Sequence, residues 1–163
     1  KKHLEALEKK GFLKRSPNLS RAIELVKASV KNTISVPIVG RVKAGLPHLA
    51  VEDVTGHVAL DAGFFNCEGA FILEADGESM KGAGINDGDF LLVRPEAEIF
   101  NNDIAVVMLD SESTVKRFLK KDGVITLKPE NPEFKPVRVK KSAEFVVIGK
   151  VVSVIKQIGD RRQ

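Results

Sequence analysis

Short apolar segments separated by turn-forming residues dominate the chain from Val36 onward. The apolar positions are rich in β-branched side chains, and Gly, Asp, Asn and Pro interrupt them. This pattern predicts a mostly antiparallel β domain whose edges are closed or paired. Short helical turns are predicted at Asp61–Phe65 and Ser79–Gly84. The predicted strands are Val36–Val42, Gly56–Leu60, Phe71–Ala75, Phe90–Val93, Ile104–Leu109, Thr114–Leu119, Val124–Leu127 and Phe145–Ile155.

The first 26 residues follow a different pattern. Leu4 and Leu7 lie one helical turn apart among Lys and Glu, which predicts the end of an amphipathic helix that stops at Gly11. Two apolar segments then flank a Ser-Pro-Asn tip at 16–18, which predicts a hairpin. Together they resemble the close of a winged helix-turn-helix domain, although a solvated hairpin explains them equally well. The wing would carry three cations able to meet DNA phosphates: Lys14, Arg15 and Arg21.

A polar, weakly patterned segment at 27–35 separates the two patterns and is predicted to be a linker. We therefore expect the end of a DNA-binding domain at 1–26 and a β domain at 36–163. Because the chain has no initiator methionine and starts inside an amphipathic pattern, we expect it to be a fragment of a longer protein.

Composition narrows the class of protein only slightly. Hydrophobic residues make up 43% and charged residues 29% of the 163 positions, and the net charge of +4 merely permits a nucleic-acid partner. No apolar run reaches the roughly 20 residues that span a bilayer, and no signal-peptide pattern is present. The single Cys67 excludes an internal disulfide, fits a cytoplasmic location, and is expected to pack as a small hydrophobe. Asp87-Gly88-Asp89 is typical of a tight turn before a strand, and no calcium-loop spacing follows it, so we expect no metal site there. We expect no cofactor and no small-molecule ligand.

Ser79 is the first candidate for chemistry. It follows Gly77-Glu78 after an apolar, strand-like run and opens a predicted helical turn. On general grounds such a serine caps the helix. The same geometry suits a nucleophile, because the first backbone N–H groups of a helix lack internal partners and could face an oxyanion. The N–H groups of Ser79 and Met80 are the candidates for that role.

Lys116 is the second candidate. Alternation along its strand places Thr114, Lys116 and Phe118 on one face, where partial burial would lower the pKa of the lysine. A neutral lysine can take the proton of a serine hydroxyl, as in Ser/Lys peptidases. An exposed strand lysine is the alternative. The histidines, each expected to be solvated at the surface, have no local pattern of a general base: His3, His48 and His57.

A small-residue loop offers a substrate within the chain. Ala44 and Gly45 would let the backbone enter a narrow site in extended form, and Pro47 permits a sharp turn beyond them. Ala44–Gly45 is therefore the candidate scissile bond, with an ordinary glycine-containing loop as the alternative.

Taken in order, these segments resemble the bacterial LexA repressor family. The resemblance covers nearly the whole chain. It rests on residues 37–45, Gly77-Glu78-Ser79-Met80, residues 84–89, Thr114-Val115-Lys116-Arg117, residues 129–134 and Gly149-Lys150-Val151-Val152, and also on residues 3–11 at the start.

The resemblance implies a LexA- and signal-peptidase-like β peptidase domain that follows a winged helix-turn-helix. It implies that Ser79 is the nucleophile, that Lys116 is the general base, and that the Ala44–Gly45 bond is cut within the chain. It further implies a homodimer that represses SOS genes until RecA filaments on single-stranded DNA stimulate cleavage. Two features depart from the family: Lys43 stands where a small residue is common, and most of the helix-turn-helix is absent. We therefore expect operator binding only when those N-terminal helices are present.

The sequence alone leaves several other functional classes open. A phage-type repressor or a mutagenesis accessory protein of the same Ser/Lys family would also cut itself. A type I signal peptidase shares the Ser/Lys pair but needs a membrane anchor. A β-rich dimerisation module, with Ser79 as a simple helix cap, is the non-enzyme alternative.

Overall fold

The structure, a computed structural model, describes residues 13–15, 23–25, 33–40, 54–65, 67–95 and 97–158. These residues form strands and turns with a short 3-10 helix at Lys81–Ala83, and they contain no α-helix. The predicted mostly β class is confirmed. No helix in this described part is long and apolar enough to cross a membrane. The strands are β1 (Leu13–Arg15), β2 (Ile23–Leu25), β3 (Thr33–Val39), β4 (Val54–Asp61), β5 (Phe71–Glu74), β6 (Phe90–Arg94), β7 (Ile104–Leu109), β8 (Glu112–Lys121), β9 (Val124–Lys128), β10 (Val137–Arg138) and β11 (Phe145–Ile155).

The chain divides into two compact units, Lys1–Thr33 and Ile34–Gln163. In the first unit, β1 and β2 pair antiparallel, with Leu13 opposite Leu25. The two strands of the predicted hairpin are therefore present, while its tip at 16–18 lies outside the described residues. The predicted helix end at residues 1–10 lies outside the described residues.

The second unit is built on a nine-stranded sheet in the order β10-β9-β8-β7-β11-β6-β5-β3-β4. Strand β11 joins its two halves, because its first part pairs with β7 and its second part with β6. Register shifts at Val147/Gly149 and Val151/Ser153 bend the strand between these partners. The pairing of β3 with β5 is parallel. One long strand therefore ties the two ends of the sheet together.

Three apolar clusters pack within this unit. The first contains Phe71, Leu91, Met80 and Val106, and it lies next to the candidate site. Cys67 is buried in the second cluster as a free thiol, in line with its expected role as a small hydrophobe. The third cluster lies around β7, β8 and β9.

Most predicted strands occur within a few residues of their predicted bounds. Strand β3 begins at Thr33 rather than Val36, so the last three residues of the predicted linker at 27–35 belong to a strand. The reason is that Ile34 packs against the second cluster. Strand β10 was not predicted, because it has two residues and both are exposed, which leaves no burial pattern to read. The turn predicted at Asp61–Phe65 is present as a single helical turn closed on the Asp61 carbonyl.

Candidate active site

Ser79 lies in a tight turn between β5 and β6. Gly77 just before it has φ +85°, a left-handed conformation that glycine adopts without steric strain. The N–H of Gly77 donates to Asp87 Oδ1 at 2.8 Å, which connects the start of the turn to its end. Met80, the N-cap of the 3-10 helix, is buried in the first apolar cluster. The turn is thus held by a hydrogen bond at its base and by apolar packing beside the serine.

The Ser79 hydroxyl does not cap the short helix. The N-cap residue is Met80, and no side chain caps this helix. Ser79 Oγ accepts a hydrogen bond from Lys116 Nζ instead. The helix-cap reading of Ser79 is therefore wrong for the 3-10 helix at Lys81–Ala83, because the helix starts one residue later than a capping role would require.

Lys116 lies partly buried in the middle of β8. Its Nζ donates to Thr114 Oγ1 at 2.7 Å and to the Val115 carbonyl at 3.0 Å, so Thr114 and Lys116 do share a face as predicted. Burial lowers the pKa of Lys116 below its ordinary value, because the charged form loses solvation. The strand therefore presents a lysine with an enlarged neutral fraction.

Lys116 Nζ also lies 2.9 Å from Ser79 Oγ, although the two residues are 37 positions apart. Three acceptors thus surround Nζ, which matches the three N–H groups of an ammonium. A neutral amine would keep two N–H groups for Thr114 and Val115 and would turn its lone pair toward the Ser79 hydroxyl. The same geometry therefore suits both sides of a proton transfer from Oγ to Nζ.

Apolar packing helps to bring the two residues together. Met80, next to Ser79, shares the first cluster with Val106 of β7, and Val115 of β8 packs against the same cluster. Val106 and Val115 are direct partners across the β7–β8 pair. The residue after the serine and the residue before the lysine are therefore anchored in one core.

The segment that follows β9 makes the other contacts with the serine turn. The Glu130 N–H donates to the Ser79 carbonyl at 2.9 Å, and the Gly82 N–H donates to the Glu130 carbonyl at 2.6 Å. Asn131 Nδ2 donates to the Glu78 carbonyl at 3.0 Å. From the sequence, residues 129–134 are recognised only as a family motif, and no role is predicted for Glu130 or Asn131. No local signal could have revealed these contacts, because they join segments about fifty residues apart.

The candidate oxyanion donors have no competing partners in the described part of the chain. Neither the Ser79 N–H nor the Met80 N–H donates a hydrogen bond to another described residue. These N–H groups belong to the serine itself and to the residue that follows it, and Ser79 is partly exposed. Among the described residues, no carbonyl thus competes for the two predicted oxyanion donors.

Several of the remaining predicted residues are described only in part or not at all. Ala44, Gly45 and Arg21 lie outside the described residues. Lys14 and Arg15 lie in β1, where the backbone alone is described. His57 is exposed on β4, as expected of a solvated histidine.

The Asp87-Gly88-Asp89 segment forms the predicted turn. Asp87 accepts from Gly77, and Asp89 Oδ2 accepts from the Asn86 N–H at 2.7 Å and from Lys156 Nζ at 2.6 Å. Both carboxylates are thus engaged in the protein. No group of three or more potential metal ligands occurs among the described residues.

Thr114 is a site residue whose role was not predicted. Its position two residues before Lys116 on one strand face was recognised, but the hydrogen bond to Nζ was not. The sequence signal for this contact is a hydroxyl two positions before the lysine, because alternate side chains of a strand point to the same face and lie next to each other.

The chain matches known proteins over most of its length. The model of the Peptidase S24-like family matches residues 37–152. The LexA repressor of Citrifermentans bemidjiense is 46% identical over 158 residues, which cover 96% of this chain and 78% of that protein. The LexA repressor of Geobacter sp. strain M21 is 44% identical over the same shares. That of Desulfitobacterium hafniense strain DCB-2 is 42% identical, over 94% of this chain and 76% of its own.

Proposed function

This chain belongs to the LexA repressor family, and from that premise we propose that Ser79 and Lys116 cut its own Ala44–Gly45 bond. Its class is that of an SOS-response repressor with a self-cleaving serine peptidase domain. The observation that carries the assignment of residues is the 2.9 Å contact between Lys116 Nζ and Ser79 Oγ. A hydroxyl becomes nucleophilic only when a base is aimed at it, and this is the base within reach in the described site.

The reaction begins when the loop that contains Ala44 and Gly45 docks against Ser79. Docking removes water from Lys116 and favours its neutral form. Lys116 Nζ takes the Ser79 proton as Oγ attacks the Ala44 carbonyl carbon. The N–H groups of Ser79 and Met80 stabilise the resulting oxyanion.

The tetrahedral intermediate then collapses. Lys116 passes its proton to the Gly45 nitrogen, the C–N bond breaks, and Ala44 remains as an ester on Ser79. Lys116, neutral again, activates a water molecule that hydrolyses the ester and restores the serine. Because substrate and nucleophile share one chain, the population of the docked loop can limit the rate.

The test is self-cleavage of the full chain at alkaline pH, followed by intact-mass analysis. Ser79→Ala and Lys116→Ala are expected to stay folded and uncut. Ser113→Ala and Lys120→Ala remove an exposed serine and an exposed lysine of the same strand β8 and are expected to cut normally. Cleavage between Ala44 and Gly45 by Ser79→Ala would exclude the assignment.

DNA binding and dimerisation follow from membership of a repressor family whose members are generally dimeric. We propose that cutting separates the DNA-binding part from the dimerising part, so that avidity for a two-half-site operator is lost. The SOS class also supports the cytoplasm as the location.

The same class supports a RecA filament on single-stranded DNA as the stimulus for cleavage, which acts by favouring the docked loop. Adding such filaments is expected to raise the cleavage rate of the wild type and to leave Ser79→Ala uncut.

The wing hairpin is proposed to contact DNA phosphates through Lys14, Arg15 and Arg21. Each removed phosphate contact is expected to lower the slope of log affinity against log salt by about 1. Binding of the Lys14→Gln and Arg15→Gln variants to a DNA duplex, measured at several salt concentrations in a chain that carries the N-terminal helices, tests this. An unchanged slope would contradict the proposal.

A non-catalytic dimerisation module is the second candidate. It required Ser79 to serve as a helix cap, and the 3-10 helix has no side-chain cap. The phage-type repressor and the mutagenesis accessory protein share the chemistry, but the three relatives named above, which align over nearly the whole chain, are LexA repressors and so favour that class.

A further inference from the structure

A chain of polar contacts leads from the lysine strand to the serine turn without passing through the two reactive atoms. It starts at Arg117, which follows Lys116 in β8. Arg117 Nε donates to Glu130 Oε1 at 2.6 Å, and Arg117 also donates to the Asn102 carbonyl. Lys128 Nζ lies 3.5 Å from the same Glu130 oxygen. The guanidinium therefore holds the Glu130 side chain against the strand that carries the base.

The backbone of Glu130 completes this chain. Its N–H binds the Ser79 carbonyl and its carbonyl receives the Gly82 N–H, so one residue contacts both sides of Met80. Asn131 adds a bond to the Glu78 carbonyl. Among the described residues, the turn at 78–82 is hydrogen-bonded to β8 through Lys116 and to the segment after β9 through these three bonds.

From this arrangement we infer that Arg117 is a positioning residue, which acts through Glu130 to hold Ser79 Oγ at proton-transfer distance from Lys116 Nζ. The inference rests on the proposed function, because it concerns the same reaction. It adds two residues, Arg117 and Glu130, that hydrogen-bond to neither Ser79 Oγ nor Lys116 Nζ among the described contacts.

The expected effects on stability and on the cleavage rate distinguish a positioning role of the Arg117–Glu130 pair from a purely structural one. The Arg117 and Glu130 side chains are 25% and 22% exposed. An ion pair with such access to water contributes little to stability. A displacement of a reacting group by about 1 Å, however, can slow a reaction by about a hundredfold. Loss of the pair should therefore reduce the rate far more than the stability.

The alternative is that the Glu130 charge acts on Lys116 electrostatically. The hydrogen bond from Arg117 holds the pKa of Glu130 below its usual value, so this carboxylate stays charged while Lys116 titrates. Burial alone accounts for the shift of the Lys116 pKa. A positioning role thus predicts a lower maximal rate with an unchanged midpoint of the pH profile. An electrostatic role predicts a shifted midpoint.

A second ion pair of similar exposure supplies the control. Lys150 Nζ lies 2.8 Å from Asp103 Oδ2, with side chains 29% and 21% exposed. Among the described hydrogen bonds and ion pairs, none joins either residue to the serine turn. Arg117→Met and Lys150→Met each remove one cation from a partly exposed pair. Arg117→Lys keeps a cation that can reach Glu130.

The experiment measures self-cleavage of the full chain against pH, together with thermal unfolding of each variant. Arg117→Met is expected to lower the plateau rate by about tenfold or more at an unchanged midpoint. Lys150→Met is expected to stay within about twofold of the wild type, with a similar loss of stability. Arg117→Lys is expected to recover most of the rate, which a merely structural role would not predict.

Two results would overturn the inference: a plateau loss in Arg117→Met no larger than in Lys150→Met, or a shifted midpoint at an unchanged plateau. If Arg117→Met does not fold, Glu130→Gln against Asp103→Asn makes the same comparison with the shapes retained. A wild type that never cuts itself, or a Ser79→Ala variant that does, overturns the proposed function, and this inference with it. A cutting wild type whose Glu130 and Arg117 variants cut equally well overturns this inference alone.

Discussion

Lys116 Nζ contacts Ser79 Oγ at 2.9 Å from a partly buried position in β8. The same nitrogen is held from two other sides by the Thr114 hydroxyl and the Val115 carbonyl. Burial lowers the pKa of the lysine, while the two extra contacts limit the directions in which its N–H groups can point. Protonation state and orientation of the base are thus set by different parts of the structure, and each can be tested separately.

The cleavage rate is expected to rise with pH and then to level off. Neutral Lys116 is the active form, and its pKa in the folded chain lies below the ordinary lysine value. The midpoint of the rise should therefore lie below the usual value of about 10.4 for an unperturbed lysine. First-order rates of self-cleavage, measured from about pH 7 to about pH 11, give this midpoint. A rate that does not change over this range would contradict the role of Lys116 as the base.

Thr114 is expected to orient the Lys116 amine. Thr114→Val keeps the branched shape and the strand preference but removes the acceptor that lies 2.7 Å from Nζ. The plateau rate should fall by roughly tenfold, because the amine gains freedom to turn away from Ser79. Thr114→Ser, which keeps a hydroxyl, is the control and should cut at a rate closer to that of the wild type. Equal rates for Thr114→Val and the wild type would show that the contact does not matter.

Gly149 in β11 is expected to tolerate no side chain. A Cβ atom there would lie 2.6 Å from the Arg94 carbonyl oxygen and 2.8 Å from Val93 Cγ1. Gly149→Ala should lower the free energy of unfolding by about 1–3 kcal/mol, because the backbone of β6 or β11 must move. Gly56→Ala in β4 is the matched control, since its Cβ would meet only Ile38 Cδ1 at an ordinary 3.6 Å. Urea unfolding of both variants checks the difference.

Asp89 is expected to stabilise the fold above acidic pH. Burial by itself raises the pKa of this carboxyl. The Asn86 N–H and the Lys156 ammonium together lower the pKa by more than burial raises it, so the net shift is downward. A carboxyl with a lowered pKa in the folded state contributes stability above its unfolded pKa, and this contribution is lost as pH falls through the folded value. Asp89→Asn should therefore destabilise the protein at about pH 7, with a smaller difference near pH 3. A difference that stays constant between these two conditions in urea unfolding would contradict the linkage.

Strand prediction succeeded where burial is periodic or continuous. Ile104–Leu109 is an uninterrupted apolar run, and Phe145–Ile155 is mostly apolar, with three of its residues being glycine, lysine and serine. The bounds of both segments agree with the structure. It failed for Val137–Arg138, where exposed residues pair only because β9 lies beside them. It was three residues late at Thr33, because the contact of Ile34 with the second cluster is not visible in a local pattern.

Rules based on neighbouring residues alone also favoured the wrong surroundings for Ser79 and Lys116. A serine at the start of a helical turn is commonly a cap, and a lysine on a strand is commonly exposed. Both rules describe residues in isolation. Here the helix starts one residue too late for Ser79 to cap it. The Lys116 side chain is hydrogen-bonded to Ser79, which lies in a turn from a distant part of the chain.

By itself, the sequence determined the β class, most of the strands, the shared face of Thr114 and Lys116, and the family to which the ordered motifs point. These properties depend on alternation and spacing, which the chain carries locally. The tertiary structure alone decided that Ser79 and Lys116 meet, that Thr114 holds the amine, and that Arg117 reaches the serine turn through Glu130. Those contacts join segments far apart in the chain, and they exist because the pairing of β7, β8 and β9 and the packing of Met80 bring the segments together.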